Sequence, residues 1–280
     1  MQNVLLTGAT GFVGRQILKS LLACNCDVTI VVRPGWQDRI PFALGDTTVI
    51  EVDNLFAVST EWWAGVLGGI DTVIHSAWYA EPGKYLTSEK NIDCLIGTSQ
   101  LAKAAVHSRV QKFIGLGSCI EYQMVETPLD VDSPLDPTTV YSGAKVAAFH
   151  ALTQFFEQTD TAFLWCRLFY LFGEGEDSRR LVPFLHEKMR KGEVADLTSG
   201  NQIRDFMDVS EAAQRIVDLA QTGATGPANI CTGQGQTVRA LAEGIADGYK
   251  SPELLNFGAR PDNLVDPPYV VGVPTLPKYS

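Results

Sequence analysis

The stretch NVLLTGATGFVGRQIL at residues 3–18 decides the fold of this 280-residue chain. An apolar run leads into three glycines, Gly8, Gly11 and Gly14, and the chain then continues with the apolar spacing of a helix. A helix N-terminus carries unpaired N–H groups and a partial positive charge, and glycine lets an anion approach them closely. The stretch therefore predicts a strand, a tight turn and a helix that bind the pyrophosphate of a dinucleotide.

Apolar strands and helices alternate along the residues that follow. Strands are predicted at residues 3–7, 27–33, 47–53, 71–77, 112–118 and 162–173, and helices at 12–23, 91–108 and 141–159. Nearly continuous apolar strands joined by helices are typical of a parallel sheet that is covered on both faces. The sequence thus predicts an α/β fold, a Rossmann-type doubly wound parallel sheet.

The pattern loosens after residue 173. Further helices are expected at residues 181–191, 209–221 and 237–248. Five prolines between Arg260 and Ser280 predict a mostly irregular end. We interpret residues 1–173 as the dinucleotide-binding domain and residues 174–280 as a smaller C-terminal substrate-binding region. This region is expected to contribute elements to the sheet and not to fold on its own.

Composition and charge exclude several classes of partner. The net charge is −10, whereas a surface that binds a nucleic acid duplex needs an excess of Lys and Arg, so nucleic acid is not expected. No apolar run is long enough to span a membrane, and the start of the chain lacks the features of an export signal. The six cysteines form no C-x-x-C pair and no His, Asp or Glu cluster has metal-ligand spacing, so we expect a cytoplasmic protein without a bound metal.

Arg33, at the end of the second predicted strand, bears on the choice of dinucleotide. An acidic residue near this place usually binds the ribose hydroxyls of NAD, whereas an arginine suits the 2′-phosphate of NADP. We therefore expect NADP, with NAD as the alternative; the other interpretation of Arg33 is an exposed residue at a strand end. Asp53, at the end of the third strand, lies either at the adenine ring or in an ordinary turn. The predicted cofactor-binding residues are Gly8, Thr10, Gly11, Phe12, Val13, Gly14, Arg33, Asp53, Ala77, Tyr141 and Lys145.

The sequence YSGAK places Tyr141 and Lys145 four residues apart near a helix start, so their side chains share one face. A lysine ammonium beside a phenol is expected to lower the tyrosine pKa, and the tyrosine can then exchange a proton with a carbinol oxygen. Ser118 ends the fifth strand, at the sheet edge where such folds bind ligands, and its hydroxyl would hold the same oxygen. We therefore predict Ser118, Tyr141 and Lys145 as catalytic residues. The alternative for the Tyr-Lys pair is a surface pair on a helix.

Five motifs in this order resemble the extended short-chain dehydrogenase/reductases of the NAD-dependent epimerase/dehydratase type. They are TGATGFVG at residues 7–14, HSA at 75–77, SCIEY at 118–122, YSGAK at 141–145 and RDF at 204–206. The resemblance covers nearly the whole chain and implies a nucleotide-diphosphate sugar as the substrate. It also implies a homodimer that forms through the helices at 91–108 and 141–159.

The resemblance assigns substrate contacts as well. Arg204 and Arg260 are expected near the phosphates of the substrate, although Arg204 has a second interpretation as a surface arginine paired with Asp205. Trp78 either lines the sugar pocket or packs in the core. The predicted substrate-binding residues are Trp78, Ser118, Arg204 and Arg260.

The resemblance also narrows the reaction. The family's 4,6-dehydratases carry an Asp-Glu pair directly after the catalytic Ser or Thr, and its 3,5-epimerases carry a Cys two residues after it. Here Cys119 and Ile120 stand at these places, which leaves reduction of a 4-keto group and 4-epimerisation. Arg33 favours a reductase that exchanges NADP(H) at every turnover. The motifs are also similar to nucleotide-sugar 4-ketoreductases such as the abequose and paratose synthase group.

The main expectation is therefore NAD(P)H-dependent reduction of a nucleotide-diphosphate-linked 4-keto-6-deoxysugar, with Tyr141 as the proton donor. The alternatives are an NAD-retaining nucleotide-sugar 4-epimerase and, from another class, a non-catalytic dinucleotide-sensing protein. Tyr170 and Glu174 stand where the family usually has Asn and Pro, so unusual substrate contacts are expected there.

Overall fold

A central sheet of parallel strands with helices on both faces organises the computed structural model, which describes residues 1–263 and 266–277. The strands are β1 Asn3–Thr7, β2 Asp27–Val32, β3 Thr48–Glu51, β4 Thr72–His75, β5 Lys112–Ser118, β6 Ala162–Leu168, β7 Tyr170–Phe172, β8 Ala195–Leu197, β9 Ile203–Arg204, β10 Phe206–Asp208, β11 Gly226–Ile230, β12 Gln236–Thr237, β13 Leu255–Phe257 and β14 Tyr269–Val270. The α-helices are α1 Phe12–Ala23, α2 Thr60–Val66, α3 Lys90–His107, α4 Val140–Phe156, α5 Leu181–Lys191, α6 Val209–Gln221 and α7 Val238–Tyr249. Short 3-10 turns lie at Trp36–Arg39, Cys119–Glu121 and Pro252–Leu254.

The main sheet runs in the order β3-β2-β1-β4-β5-β6-β11, and every neighbouring pair is parallel. The chain winds in one direction from β1 to β3 and in the other from β4 to β11, so the winding reverses between β1 and β4. Ligands of such sheets bind at the carboxyl ends of the strands near this reversal. The predicted doubly wound parallel sheet is confirmed.

Alternate side chains of β1 separate two buried apolar clusters. Val4 and Leu6 belong to the cluster that includes residues of α1 and α6, and Leu5 belongs to the cluster that includes residues of α2, α3 and α4. Since successive side chains of a strand point to opposite faces, a continuous apolar run buries both of them. Trp63 of α2 and Trp165 of β6 are the largest fully buried side chains of the second cluster. The helices therefore cover both faces, which leaves the edges of the sheet for ligands.

One predicted strand is divided in the structure. The sequence predicts a single strand over residues 162–173, but β6 ends before Phe169 and β7 begins after it. The Phe169 N–H still donates to the Ile230 carbonyl, whereas the Tyr170 N–H donates to the Asp205 carbonyl. The chain therefore leaves the main sheet at Phe169, and β7 pairs with β10 instead.

Several elements are absent from the sequence-based predictions, among them helix α2 and strand β11. Helix α2 has only seven residues, and β11 reads GPANI, in which Gly, Pro and Asn disfavour a strand. Its parallel pairing with β6 at the edge of the sheet specifies β11, and an edge strand tolerates proline. Strand β11 and helix α6 bring the C-terminal region back to the sheet, while residues of α5, α7, β8 and β13 form a smaller apolar cluster. Within the described residues, no helix has the length and apolar character that crossing a membrane requires.

The turn between β1 and α1 needs glycine at two positions for different reasons. Gly8 has a φ of +76°, and a Cβ there would lie 2.7 Å from the Ala77 nitrogen. A Cβ at Gly14 would overlap the carbonyl oxygen of Gly8, because the first turn of α1 packs directly on this turn. The two glycines therefore let α1, β1 and the residues after β4 meet through backbone contacts alone.

Replacing Gly14 with alanine is expected to destabilise the chain by about 1–3 kcal/mol, because the added methyl overlaps backbone that moves only if α1 shifts. Gly143→Ala is the matched control, since Gly143 also lies inside a helix and no atom lies within 4 Å of an added Cβ. The control should be neutral or stabilising by up to about 1 kcal/mol. Urea unfolding measures both variants, and equal stabilities would contradict the packing of α1 on the turn.

Candidate active site

The carboxyl edge of the sheet gathers most of the predicted site residues. The glycine turn follows β1, Ala77 follows β4, and Ser118 is the last residue of β5. Tyr141 and Lys145 lie near the start of α4, which packs against β5 and β6. The structure therefore brings the predicted catalytic residues to the edge that carries the predicted dinucleotide turn.

A capping box fixes the start of α4 one residue before Tyr141. The Thr139 hydroxyl accepts the Ser142 N–H at 3.1 Å, and the Ser142 hydroxyl accepts the Thr139 N–H at 3.1 Å. These bonds satisfy donors that the first turn of a helix leaves unpaired. Because the helix starts here, Tyr141 and Lys145 lie on one face of its first turns.

Lys145 is buried, with a relative exposure of 4%. Its Nζ donates to the Leu116 carbonyl at 2.6 Å and lies 3.6 Å from the centroid of the Trp78 ring. Burial lowers the pKa of Lys145 to about 7, although the Glu121 carboxylate and, more weakly, Cys94 act to raise it. This amine therefore gains or loses its charge near neutral pH.

Two aromatic rings meet the ring of Tyr141 edge to face: Tyr85 at 4.9 Å and Trp78 at 6.4 Å between centroids. The expectation that Lys145 lowers the pKa of Tyr141 is wrong. Burial raises this pKa by more than interaction with the Ser118 hydroxyl lowers it. The Lys145 amine donates to a backbone carbonyl instead and lies 5.8 Å from the centroid of the tyrosine ring. Tyr141 therefore keeps its proton at neutral pH and is suited to donate it.

A buried chain of hydrogen bonds fixes the end of β4. Thr98 donates its hydroxyl proton to the Cys94 carbonyl at 2.7 Å, so it accepts from Nε2 of His75 at 2.9 Å. Nδ1 of His75 then accepts from the Thr7 hydroxyl at 2.8 Å, and Thr7 accepts the Ala77 N–H at 3.3 Å. Burial, and to a lesser degree the Lys145 charge, lowers the pKa of the imidazole to about 3. This neutral histidine holds the backbone that contacts the glycine turn and is a structural group.

The glycine turn has the features that a dinucleotide pyrophosphate needs. Gly11 caps α1 without any side-chain hydrogen bond, and the first turn carries no acidic residue. A Cβ at Gly11 would meet the Gly8 carbonyl oxygen at 3.2 Å and no other atom that closely. Thr10, Phe12 and Val13 are partly exposed around the turn. No side chain caps the N–H groups at the start of α1, which fits the dinucleotide that the sequence predicts.

Arg33 belongs to an aromatic–arginine cluster beyond β2. Its guanidinium carbon lies 4.4 Å from the centroid of Trp36, and that of Arg39 lies 3.8 Å from the same ring. Trp36 and Arg39 are not among the predicted site residues, although the run RPGWQDR at residues 33–39 offers a signal, two arginines around a tryptophan. Asp53 is exposed and lies past the end of β3.

Arg204 is buried, with a relative exposure of 2%, so its interpretation as a surface arginine is wrong. Its Nη2 lies 2.7 Å from Oδ2 of Asp266, and its guanidinium lies 5.1 Å from the centroid of Tyr170. Asp205, which the sequence offered as a partner, accepts N–H groups of Thr232 and Gly233 at 2.8 and 2.9 Å instead. The buried cation therefore lies beside the tyrosine that replaces the family's usual asparagine.

The other two predicted substrate residues have different surroundings. Arg260 is exposed and lies over Phe184, with 5.6 Å between its guanidinium and the ring centroid. The indole N–H of Trp78 donates to Asn91 at 2.9 Å, and its ring faces Lys145. Trp78 thus helps to fix the position of the buried amine.

Glu121, which is not among the predicted site residues, contacts the backbone of Ser118. Glu121 is fully buried, accepts the Ser118 N–H at 2.7 Å and forms an ion pair with Arg167 at 2.8 Å. The sequence Ser-Cys-Ile-Glu carries the S-x-x-E signature of a capping box, and this signal could have identified it.

Clefts and metal ligands complete the description of the site. A cleft of about 350 Å³ lies between the loop at residues 124–126 and the segment at residues 266–269, which contains the partner of Arg204. A second cleft, of about 420 Å³, lies at the opposite edge of the sheet and is lined by none of the predicted site residues. Across residues 1–263 and 266–277, no group of three His, Cys, Asp or Glu side chains could hold a metal ion.

Comparison with known proteins gives the relationships of the chain. The family model described as NAD dependent epimerase/dehydratase family matches residues 4–231. The dTDP-6-deoxy-L-talose 4-dehydrogenase (NAD(+)) of Aggregatibacter actinomycetemcomitans is 23% identical over 86% of this chain and 88% of its own length. The CDP-abequose synthase of Salmonella muenchen is 22% identical over 95% of this chain and 88% of its own length.

A solved structure supports the fold. The UDP-N-acetylglucosamine 4-epimerase from Methanobrevibacter ruminantium M1, in complex with UDP-N-acetylmuramic acid, superposes with a TM-score of 0.86. The alignment covers 98% of this chain and 90% of that chain at 24% identity. The arrangement of strands and helices is therefore shared.

The neutral state of His75 predicts a stability that falls in acid. An unfolded histidine has a pKa of about 6.5, whereas the folded value is about 3. Between these values the unfolded state binds one more proton, so the free energy of unfolding decreases as pH falls, by about 1.4 kcal/mol per pH unit.

Urea unfolding at pH 6.5 and pH 5 measures this dependence, for which we expect a loss of about 2 kcal/mol from this group. His75→Gln keeps a hydrogen-bond donor and an acceptor but cannot titrate. Between pH 6.5 and pH 5, the variant should therefore lose about 2 kcal/mol less stability than the wild type. His107→Gln is the control, because His107 is exposed on α3 and should leave the dependence unchanged. The same acid loss in wild type and His75→Gln would show that His75 is not held neutral.

Proposed function

Because the chain belongs to the NAD dependent epimerase/dehydratase family, we propose that it uses NADPH to reduce a nucleotide-diphosphate-linked 4-keto-6-deoxysugar. The observation that carries the proposal is the placement of Ser118, Tyr141 and Lys145 at the edge that holds the glycine turn. A proton donor, a hydroxyl and an amine there suit reduction of a carbonyl next to a dinucleotide.

Each of the three residues has a defined task in this proposal. The reduced nicotinamide, when bound, supplies the hydride for the keto carbon. Tyr141 donates its proton to the developing alkoxide, and its raised pKa keeps the phenol protonated until then. Ser118 donates a hydrogen bond to the same oxygen. Lys145, whose amine lies on the same face of α4, binds the ribose of the cofactor.

Residues next to Ser118 favour this reaction over others in the family. A dehydratase needs an acid that protonates a leaving hydroxyl. Burial raises the pKa of Cys119 to about 12, and Ile120 has no proton to give. Glu121 is fully buried and both of its oxygens accept hydrogen bonds from the protein. The segment after Ser118 thus offers no group for dehydration.

The cluster beyond β2 supports NADP as the cofactor. Arg33 and Arg39 both lie over the ring of Trp36, which places two guanidinium groups and an aromatic ring just beyond β2, where the 2′-phosphate of NADP is expected. The relative from Aggregatibacter is named as NAD(+)-dependent, so NAD is the alternative. The proposal also includes a cytoplasmic homodimer, for which Ile92 and Ile96 of α3 supply exposed apolar surface.

Three arginine and aromatic groups are proposed to hold the substrate. Arg204 would bind a phosphate of the nucleotide in place of Asp266, and the cleft of about 350 Å³ beside this ion pair would take part of the ligand. Arg260 is proposed as a second phosphate contact. Trp78 would line the pocket next to Lys145.

A nucleotide-sugar 4-epimerase is the second candidate. The solved structure from Methanobrevibacter, which shares the fold, is a 4-epimerase by its description, and the same three residues serve both reactions. A non-catalytic dinucleotide sensor has no use for a proton donor, a hydroxyl and a buried amine in one place. We therefore rank the sensor last.

Incubation with NADPH or NADH and a panel of dTDP-, CDP- and GDP-linked 4-keto-6-deoxysugars tests the proposal. Loss of the near-ultraviolet absorbance of the reduced cofactor is expected for the wild type. Tyr141→Phe should lower kcat about 10²–10⁴-fold, because it lacks the donated proton, while cofactor affinity stays within about twofold. Tyr249→Phe is the matched control, since Tyr249 lies on α7 beside His186 and far along the chain from the site.

Interconversion of nucleotide hexoses without net consumption of the cofactor would identify the epimerase instead. Turnover that Tyr141→Phe leaves unchanged would overturn the assigned mechanism. Tight cofactor binding without turnover of any nucleotide sugar would favour the sensor.

The choice of cofactor has its own test. Arg33→Ala and Arg39→Ala should each weaken NADPH binding about 10–100-fold and leave NADH binding unchanged, since a hydrogen bond to a charged group contributes about 1.5–3 kcal/mol. Arg190→Ala removes the same charge from the exposed end of α5 and is the control. Fluorescence titration measures the affinities. Equal losses for both cofactors would contradict a 2′-phosphate contact.

A further inference from the structure

A carboxylate without any exposed surface lies directly behind the Ser118 backbone. Oε1 of Glu121 accepts the Ser118 N–H at 2.7 Å, and Oε2 accepts Nε of Arg167 at 2.8 Å. The indole N–H of Trp165 donates between the two oxygens, at 3.2 and 3.1 Å. All three neighbours donate, so the carboxylate is held as an acceptor from every side.

Strand β5 provides the space for this carboxylate by carrying a glycine. A Cβ at Gly117 would lie 2.5 Å from Oε1 of Glu121 and would overlap the indole nitrogen of Trp165. The carboxylate thus occupies the place of a side chain one residue before Ser118. Any larger residue at 117 would push Glu121 away from the serine amide.

The same ion pair continues into segments that follow the catalytic helix. Nη1 of Arg167 donates to the Tyr122 hydroxyl at 3.0 Å, and that hydroxyl donates to Asn229 at 2.7 Å. The Asn229 amide donates to the carbonyls of Leu129 and Val273 at 2.9 and 3.3 Å. One buried network therefore joins the end of β5 to β11 and to the C-terminal segment.

Stability alone does not account for such a pair. Removing two charges from water costs several kcal/mol for each ion, and apolar side chains of similar volume are often as stable. What an apolar pair cannot do is accept the Ser118 N–H, which would then be buried without a partner. The carboxylate accepts this N–H and thereby fixes the orientation of the Ser118 backbone.

We propose that Glu121, anchored by Arg167, is a positioning residue of the active site: it locks the Ser118 backbone so that the serine hydroxyl faces the oxygen being reduced. The inference deepens the proposed reduction and rests on it for the role of Ser118. Glu121 itself transfers no proton, because its oxygens are occupied. Its charge also faces Lys145 and Tyr141, and it acts to raise the pKa of both groups.

The test uses a double variant that keeps the fold and removes the lock. Glu121→Leu with Arg167→Met replaces the pair by apolar side chains, which avoids an uncompensated buried charge. Lys112→Met is the matched control: Lys112 is a buried cation at the other end of β5, where it donates to the carbonyls of Leu219 and Thr222. Both variants remove buried polar contacts of β5, but only the double variant removes a contact of Ser118.

Two readouts separate positioning from folding. The double variant should lose kcat about 10–100-fold towards the 4-keto-sugar nucleotide that the wild type reduces, with KM and cofactor affinity within about threefold. Lys112→Met should keep kcat within about twofold of the wild type. In the double variant, the Ser118 amide should exchange its hydrogen at least about 100-fold faster than global unfolding of that variant explains. In Lys112→Met, no such acceleration is expected.

A double variant with wild-type kcat and wild-type exchange at Ser118 would overturn the inference. Equal losses of kcat in the double variant and in Lys112→Met would also overturn it, since a general loss of stability would then explain both. If the wild type reduces no nucleotide sugar, the proposed function fails. The exchange measurement still decides in that case whether Glu121 holds the serine backbone.

Discussion

The packing of the α1 backbone on the Gly8 carbonyl is the contact on which the rest of the site depends. Since no side chain separates Gly14 from Gly8, the helix begins directly over the end of β1, and Gly8 in turn contacts the Ala77 backbone. The neutral His75 fixes the end of β4 from the other side through hydrogen bonds to two threonines. Trp78 follows this junction immediately and gives Lys145 its aromatic face. The same close packing that places the N-terminus of α1 over the end of β1 therefore also locates the buried amine of Lys145.

Features that depend on one continuous segment could be predicted from the sequence. The glycine turn, the alternation of strands and helices, and the YSGAK motif are local patterns, and the doubly wound sheet follows from them. Features that need a distant partner could not. Strand β11 reads GPANI and becomes a strand only by pairing with β6. The position of Glu121 depends on Arg167, which lies 46 residues later, and on the space that Gly117 leaves free. The S-x-x-E spacing is present in the sequence, but spacing alone does not distinguish an ordinary helix cap from a buried carboxylate that holds the Ser118 backbone.

The pKa of Tyr141 shows a second limit of reasoning from spacing. Four residues along a helix do place a lysine on the same face as a tyrosine, but the Leu116 carbonyl and the Trp78 ring decide where its amine points. Burial then moves both groups toward their neutral forms, since it raises the pKa of the phenol and lowers that of the amine. A site built in this way avoids unpaired buried charge while it is empty of reactants. It also keeps a proton on the tyrosine oxygen that we propose as the donor.

The late position of β11 along the chain has a consequence for biosynthesis. Strand β6 lies between β5 and β11 in the finished sheet, and six of its seven residues, AFLWCRL, are apolar. Until the ribosome has delivered Gly226–Ile230, one side of β6 has no strand to pair with. An unpaired apolar edge is a template for other chains, and proteins of this size commonly expose such edges while they fold. A chain that terminates early, or that is cut between α5 and α6, would therefore carry the glycine turn and helix α4 on a sheet prone to aggregate.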